Sequence, residues 1–64
     1  MTLKEIKKAI EENKNVCWAS DIYPVIKDKN NNYLIKCIIN NYCIGLTHKD
    51  KTTLNGKEEE FFIL

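Results

Sequence analysis

Three cysteines and one histidine carry the side chains best suited to metal binding or nucleophilic catalysis. They are Cys17, Cys37, Cys43 and His48. Thiolate and imidazole groups are common zinc ligands, and a paired cysteine and histidine form the centre of many thiol enzymes. No Cys-x-x-Cys spacing is present, and the single histidine lies in a polar segment with nothing that marks an oxyanion donor. We therefore expect no metal, no cofactor and no enzymatic activity, and we expect free thiols that pack as small apolar residues.

Stacking of nucleic-acid bases on aromatic side chains is a second chemistry to consider. The candidates are Trp18, Tyr23, Tyr33 and Tyr42. The chain of 64 residues has a net charge of only +1, and all ten of its basic residues are lysines. Without arginine it lacks the planar fork that reads guanine or phosphate through two parallel bonds. A small nucleic-acid-binding domain therefore stays an alternative, and direct nucleic-acid binding is not the first expectation.

A β-hairpin must position half of these side chains. Two β-prone runs, residues 33–39 and 42–47, flank Asn40-Asn41, and asparagine tolerates the positive φ angles of a two-residue hairpin turn. Such a turn fixes which residues of the two strands lie opposite each other: Ile39 and Tyr42, Cys37 and Ile44, Ile35 and Leu46.

Alternation along the two strands then assigns their side chains to two faces. The face expected to join the core holds Tyr33, Ile35, Cys37, Ile39, Tyr42, Ile44 and Leu46. The other face holds Leu34, Lys36, Ile38, Cys43, Gly45 and Thr47. Because Cys37 and Cys43 fall on opposite faces, they can share neither a metal ion nor a disulfide.

The rest of the chain predicts a helix and further strands around this hairpin. Thr2 and Glu5 have the spacing of a capping box, and an apolar stripe at helical spacing predicts a helix over 3–13. The stripe should pack on the hairpin's core face; its residues are Leu3, Ile6 and Ile10. Further strands are expected at 16–19, 22–27 and 61–64. Pro24 cannot donate to a ladder, so its strand should lie at a sheet edge or carry a bulge.

These elements predict one α+β domain over residues 1–64, with an N-terminal helix packed on a four- to five-stranded antiparallel sheet. The sequence contains no apolar run of the length that spans a bilayer and no hydrophobic signal core near Met1. We therefore expect a cytoplasmic protein that does not enter the membrane.

The second hairpin face is more apolar than a solvated face requires, which predicts a protein-binding surface or a homodimer interface. Its expected residues are Leu34, Lys36, Ile38 and Cys43, joined by Tyr23 from the neighbouring strand. The alternative is that residues 61–64 fold over this face and close it. The acidic run Glu58-Glu59-Glu60 is a further candidate, because it could occupy a basic groove on another protein.

Several segments of the chain resemble a pattern in short accessory proteins of phages and prophages. They are residues 16–18, 23–28, 33–35 and 44–47, and residues 54–56 followed by 60–62. The resemblance covers most of the chain after the predicted helix. Two positions depart from the pattern: Pro24, and Lys51, where glycine is expected after Asp50.

The resemblance implies an accessory protein of a mobile element. Small single-domain proteins of this kind without enzymatic motifs are often inhibitors of host defence, including anti-CRISPR proteins. It therefore implies a non-enzymatic protein-binding module in the bacterial host cytoplasm, with a CRISPR nuclease effector as a possible partner. A phage structural or assembly accessory protein is another alternative.

Overall fold

The computed structural model describes residues 1–64 and contains one helix and five short strands, which confirms the α+β class. In chain order these are α1 (Leu3–Glu11), β1 (Val16–Trp18), β2 (Val25–Lys27), β3 (Tyr33–Lys36), β4 (Cys43–Gly45) and β5 (Phe61–Ile63), with a 3-10 turn over Glu58–Glu60 just before β5. All strand pairs are antiparallel. None of the helices has the length and apolar character needed to cross a membrane.

The predicted capping box at the start of α1 is confirmed. The Glu5 backbone N–H donates to Thr2 Oγ1 (3.1 Å), and the Thr2 N–H donates to Glu5 Oε1 (2.8 Å). The bond from the Thr2 N–H favours the charged carboxylate and is the main reason that the pKa of Glu5 is lowered. The helix ends two residues before the predicted Asn13, because that residue adopts a left-handed conformation with φ of 63°.

The strands form two sheets, so the prediction of a single sheet is wrong. One sheet pairs β1 with β5, and the other has the order β2-β3-β4. A single bridge between Cys17 and Pro24 links them. This bridge does not continue into a ladder between Trp18 and Tyr23. The Trp18 N–H donates to Tyr23 O (2.9 Å), but the Tyr23 N–H donates to Ser20 O (3.2 Å) within the connecting turn and not back to Trp18.

Pro24 also sets the start of β2. The Lys36 N–H donates to Pro24 O (2.9 Å), but proline has no N–H to return the bond, so the strand begins at Val25. Since β2 is the outer strand of its sheet, the prediction that the strand next to Pro24 lies at a sheet edge is confirmed, with Pro24 just before its first residue.

The β3–β4 hairpin is present, but its register differs from the predicted one by two residues. Ile35 lies opposite Ile44, not Leu46. Of the two turn asparagines only Asn41 has a positive φ (62°), so a two-residue turn with two such residues does not form. The loop closes instead through a bond from the Cys37 N–H to Tyr42 O (2.8 Å). A two-residue shift preserves the assignment of side chains to faces, because the period of a strand is two.

A core of seven buried apolar residues joins α1 to both sheets. They are Ile6, Ala9, Val16, Val25, Ile35, Leu46 and Phe61. Ile10 packs against this core as predicted, but Ile44 does not belong to it and is 37% exposed. The C-terminal segment pairs with β1 and does not fold over the face of β3 and β4 that carries Leu34, Lys36 and Cys43. Phe61 reaches the main core from there, whereas Phe62, Ile63 and Leu64 stay exposed.

Gly56 leaves little room for a side chain. Its φ is 143°, and an added Cβ would lie 3.0 Å from Trp18 Nε1 and 3.5 Å from the Phe61 ring. We expect Gly56→Ala to lower the free energy of unfolding by about 1–3 kcal/mol through backbone strain and displacement of the indole. Chemical denaturation followed by tryptophan fluorescence measures both effects, with exposed Glu59→Ala as the control. Equal stability of the two variants would contradict the assigned packing.

Candidate functional site

A shallow groove of about 70 Å³ is lined entirely by apolar side chains and tyrosine rings. Its six residues come from the end of β1, the turn before β2 and the β3–β4 hairpin: Trp18, Tyr23, Ile35, Cys37, Tyr42 and Ile44. The Trp18 and Tyr23 rings form one wall and meet edge to face, with centroids 5.2 Å apart. Such an arrangement presents aromatic faces at fixed positions to whatever enters the groove.

Glu60 holds the tryptophan of this wall in place. The Trp18 Nε1–H donates to Glu60 Oε1 (3.3 Å), and the Lys57 backbone N–H donates to the same oxygen (2.9 Å). The Lys57 bond is the main reason that the pKa of Glu60 lies below its usual value, and the Trp18 bond adds to it. One carboxylate of the acidic run is therefore engaged inside the molecule.

The loop at the tip of the hairpin carries exposed isoleucines. It connects Cys37 to Tyr42 and contains Ile38 and Ile39, which are 55% and 75% exposed. Tyr42, which lines the groove, is 67% exposed. We call the six groove residues together with Ile38 and Ile39 the apolar hairpin surface. Exposed apolar side chains on one element are typical of protein interaction sites.

The structure separates the residues that the sequence grouped into one partner surface. Lys36 and Cys43 lie directly opposite each other across β3 and β4, and Leu34 lies opposite Gly45. Alternation directs these three side chains away from the face of Ile35. Tyr23 lines the groove on the Ile35 face, so it does not join them.

Of the remaining predicted partner residues, Ile38 is exposed in the hairpin loop, and Glu58–Glu60 form the 3-10 turn before β5. The backbone carbonyl of Glu58 accepts a hydrogen bond from the amino group of Met1 (2.6 Å). The side chains of Glu58 and Glu59 are exposed, so two negative charges remain available at this end of the molecule.

The cysteines lie in three different environments. Cys17 is buried, and burial, with a smaller contribution from Asp21, raises the pKa of its thiol; an activated nucleophile needs the opposite shift. Cys37 lines the groove, and Cys43 is exposed opposite Lys36, so these two thiols point to opposite faces as predicted. No three His, Cys, Asp or Glu side chains are grouped where they could hold a metal ion.

A second, larger cleft of about 300 Å³ lies between α1, the β2–β3 turn and the loop after β4. It is lined by Lys7, Asn31, Asn32, Tyr33, Leu34, Gly45, Thr47, His48, Lys49 and Lys51. We call it the lysine cleft. The spacing of these residues along the chain gave no signal for it, because Lys7 and the 48–51 loop come together only in the folded protein.

Tyr33 connects the lysine cleft to α1. Its hydroxyl donates to Glu11 Oε1 (2.6 Å), and Lys27 Nζ lies 2.7 Å from the same oxygen. The Lys27 bond, followed by the Tyr33 bond, lowers the pKa of Glu11. The bond to Glu11 raises the pKa of the Tyr33 phenol. Lys7 Nζ lies 5.4 Å from the centre of the Tyr33 ring, within the range of a cation–π contact.

Comparison of the chain with protein-family models, curated proteins and solved structures gives no match. The functional proposals below therefore rest on the apolar hairpin surface, the lysine cleft and the sequence resemblance.

Proposed function

We propose that this protein is a non-enzymatic protein-binding module of phage or prophage origin that acts in the cytoplasm of a bacterial host through the apolar hairpin surface. The observation that carries the proposal is the exposure of Tyr42 in a groove with wholly apolar and aromatic walls, together with the exposure of Ile38 and Ile39 in the loop that leads to it. Removing these side chains from water on binding contributes about 25 cal/mol for each Å² of apolar area.

The size of the groove favours a protein partner over a small molecule. Sites for drug-sized ligands occupy about 300–1,000 Å³, whereas this groove measures about 70 Å³. It matches a single apolar side chain presented by another protein. Trp18, Tyr23 and Tyr42 belong to the residue types that most often dominate binding energy at protein interfaces.

A CRISPR nuclease effector is the partner to test first, because the sequence resemblance points to inhibitors of host defence. The protein would act by covering a surface of the effector and would perform no chemistry on it. Exposed Glu58 and Glu59 are suited to meet basic residues of such an effector at the rim of the contact.

Tyr42→Lys is the variant that tests this surface. The Tyr42 side chain is exposed and its backbone bonds do not depend on it, so the variant should fold normally while a charge enters the groove. Leu64→Lys is a matched control, because Leu64 is equally exposed (68%) and lies outside the groove. We expect the wild type and Leu64→Lys to restore plaque formation by a phage that CRISPR immunity restricts, and Tyr42→Lys to fail.

Restoration of plaques by all three proteins would show that the apolar hairpin surface is not used. Failure of all three against each nuclease effector type would remove the anti-CRISPR assignment. Light scattering adds an independent check, because the proposal predicts a monomer in solution. A homodimer that Tyr42→Lys dissociates would show that a second copy of the chain covers this surface.

A further inference from the structure

We propose that the lysine cleft binds the phosphate group of a nucleotide, either a free nucleotide or a unit of a single-stranded nucleic acid. This inference is independent of the protein-binding function, because it concerns a different face of the molecule. None of the residues lining the cleft lines the apolar groove.

The lining of the cleft is positively charged. Three lysines and the only histidine line one cleft that contains no carboxylate. The two ion pairs of the protein are Lys14–Glu12 and Lys27–Glu11, so Lys7, Lys49 and Lys51 have no acidic partner. Although the net charge of the chain is only +1, positive charge is clustered at this cleft, and such a cluster attracts anions.

The one acidic residue among these loop lysines is held by hydrogen bonds within its own loop. Asp50 lies between Lys49 and Lys51 in sequence, but its carboxylate accepts bonds from the Thr52 and Thr53 N–H groups (both 2.9 Å) and from Thr53 Oγ1 (2.6 Å). These bonds hold the pKa of Asp50 well below its usual value, so the group stays ionised and bonded to its own loop.

The backbone of that loop is left-handed at one of the cleft lysines. Lys51 has φ of 62°, in the region that favours glycine and that asparagine tolerates. A substitution at this position must therefore respect the backbone conformation.

The size and lining of the cleft are suited to a nucleotide-sized ligand. A volume of about 300 Å³ lies at the lower end of the range for small-molecule sites. The side-chain amides of Asn31 and Asn32 can donate and accept hydrogen bonds, and Leu34 adds apolar surface. Lysine ammonium groups bind phosphate as point charges, so the cleft can hold this anion without arginine.

Two charge-matched double variants test the proposal. Lys49→Gln/Lys51→Asn removes two charges from the cleft, and asparagine tolerates the positive φ at position 51. Lys14→Gln/Lys57→Gln removes two charges elsewhere on the surface, and the exposed Lys14–Glu12 ion pair that it breaks contributes little to stability. Circular dichroism and thermal unfolding confirm that both variants are folded.

Binding of a fluorescent single-stranded oligonucleotide is measured by anisotropy, and binding of unlabelled ATP and AMP by calorimetry, both at low salt. We expect the wild type and the control to bind equally and the cleft variant to bind at least about tenfold more weakly. If the oligonucleotide binds, the slope of log affinity against log salt should fall by about 1.4 for two lost contacts to single-stranded phosphates.

The two ligand types identify the source of the phosphate. Binding of ATP without the oligonucleotide assigns the cleft to free nucleotides, and the reverse assigns it to a single strand. An equal loss of ligand affinity in both double variants would overturn the proposal. The same holds if the folded wild type binds none of the ligands. Loss of nucleotide binding with unchanged plaque restoration would show that the two functions are separate.

Discussion

Replacing Phe61 with alanine should largely unfold the protein, whereas replacing its neighbour Phe62 should leave it folded. The Phe61 side chain is 3% exposed and belongs to the core shared by α1 and both sheets; Phe62 is 37% exposed. Truncation of a buried phenylalanine costs about 3–5 kcal/mol. A core in a domain of this size rarely supplies more than about 3–5 kcal/mol in total.

Urea denaturation of both variants measures this difference. Phe62→Ala should lower the free energy of unfolding by no more than about 1 kcal/mol, because much of its side chain is already in water. Equal destabilisation by the two changes would contradict the pairing of Trp18 with Phe61 that places one ring inward and the next outward.

Leu46→Ala should destabilise the protein by about 2–5 kcal/mol, the range for a fully buried leucine. Leu46 is completely buried in the core. Its backbone N–H donates to Tyr33 O (3.0 Å), and its carbonyl accepts a bond from the Asn55 N–H (2.8 Å). Ile44→Ala is the matched comparison on the same segment. Because Ile44 is partly exposed at the edge of the groove, its truncation should cost about 1 kcal/mol or less.

Thermal unfolding distinguishes this packing from the one that the sequence alone predicted. In the predicted packing the core covers Ile44 as well as Leu46, so both truncations would be severe. Two losses of similar size would therefore support that packing and contradict the structure. A large loss for Leu46→Ala alone supports the structure.

Features set by neighbouring residues could be predicted from the sequence. The Thr2–Glu5 capping box depends on a spacing of three residues and is visible as a pattern. The hairpin faces were also predictable, because alternation survives a shift of two residues. The loop length was not, since it depends on which asparagine adopts a positive φ, and Asn40 instead accepts a bond from the Tyr42 N–H through its side chain (2.9 Å).

The division into two sheets depends on contacts between distant parts of the chain. Nothing local to Val16–Trp18 indicates that its partner is Phe61–Ile63. Pro24 signalled an edge strand, but not that the turn before it would leave only one bridge between the sheets. This division brings Trp18 and Tyr23 against the hairpin and so creates the groove.

Both candidate surfaces were partly hidden from sequence analysis for the same reason. The strand pattern correctly places Tyr42 and Ile44 on the same face as Ile35, and the sequence therefore predicted that they are buried. Both are exposed because the extent to which the helix and β5 cover that face depends on tertiary packing. The lysine cleft combines Lys7 with Lys49 and Lys51, which the fold brings together from opposite halves of the chain.

An NMR titration of the isotopically labelled protein with the CRISPR nuclease effector proposed as its partner tests the central claim most directly. We predict that signals of Ile38, Ile39, Tyr42 and the Trp18 indole change or broaden first, while that of Leu64 stays unchanged. Perturbations confined to Leu34, Lys36 and Cys43, or to Glu58 and Glu59, would contradict the apolar hairpin surface as the site of binding.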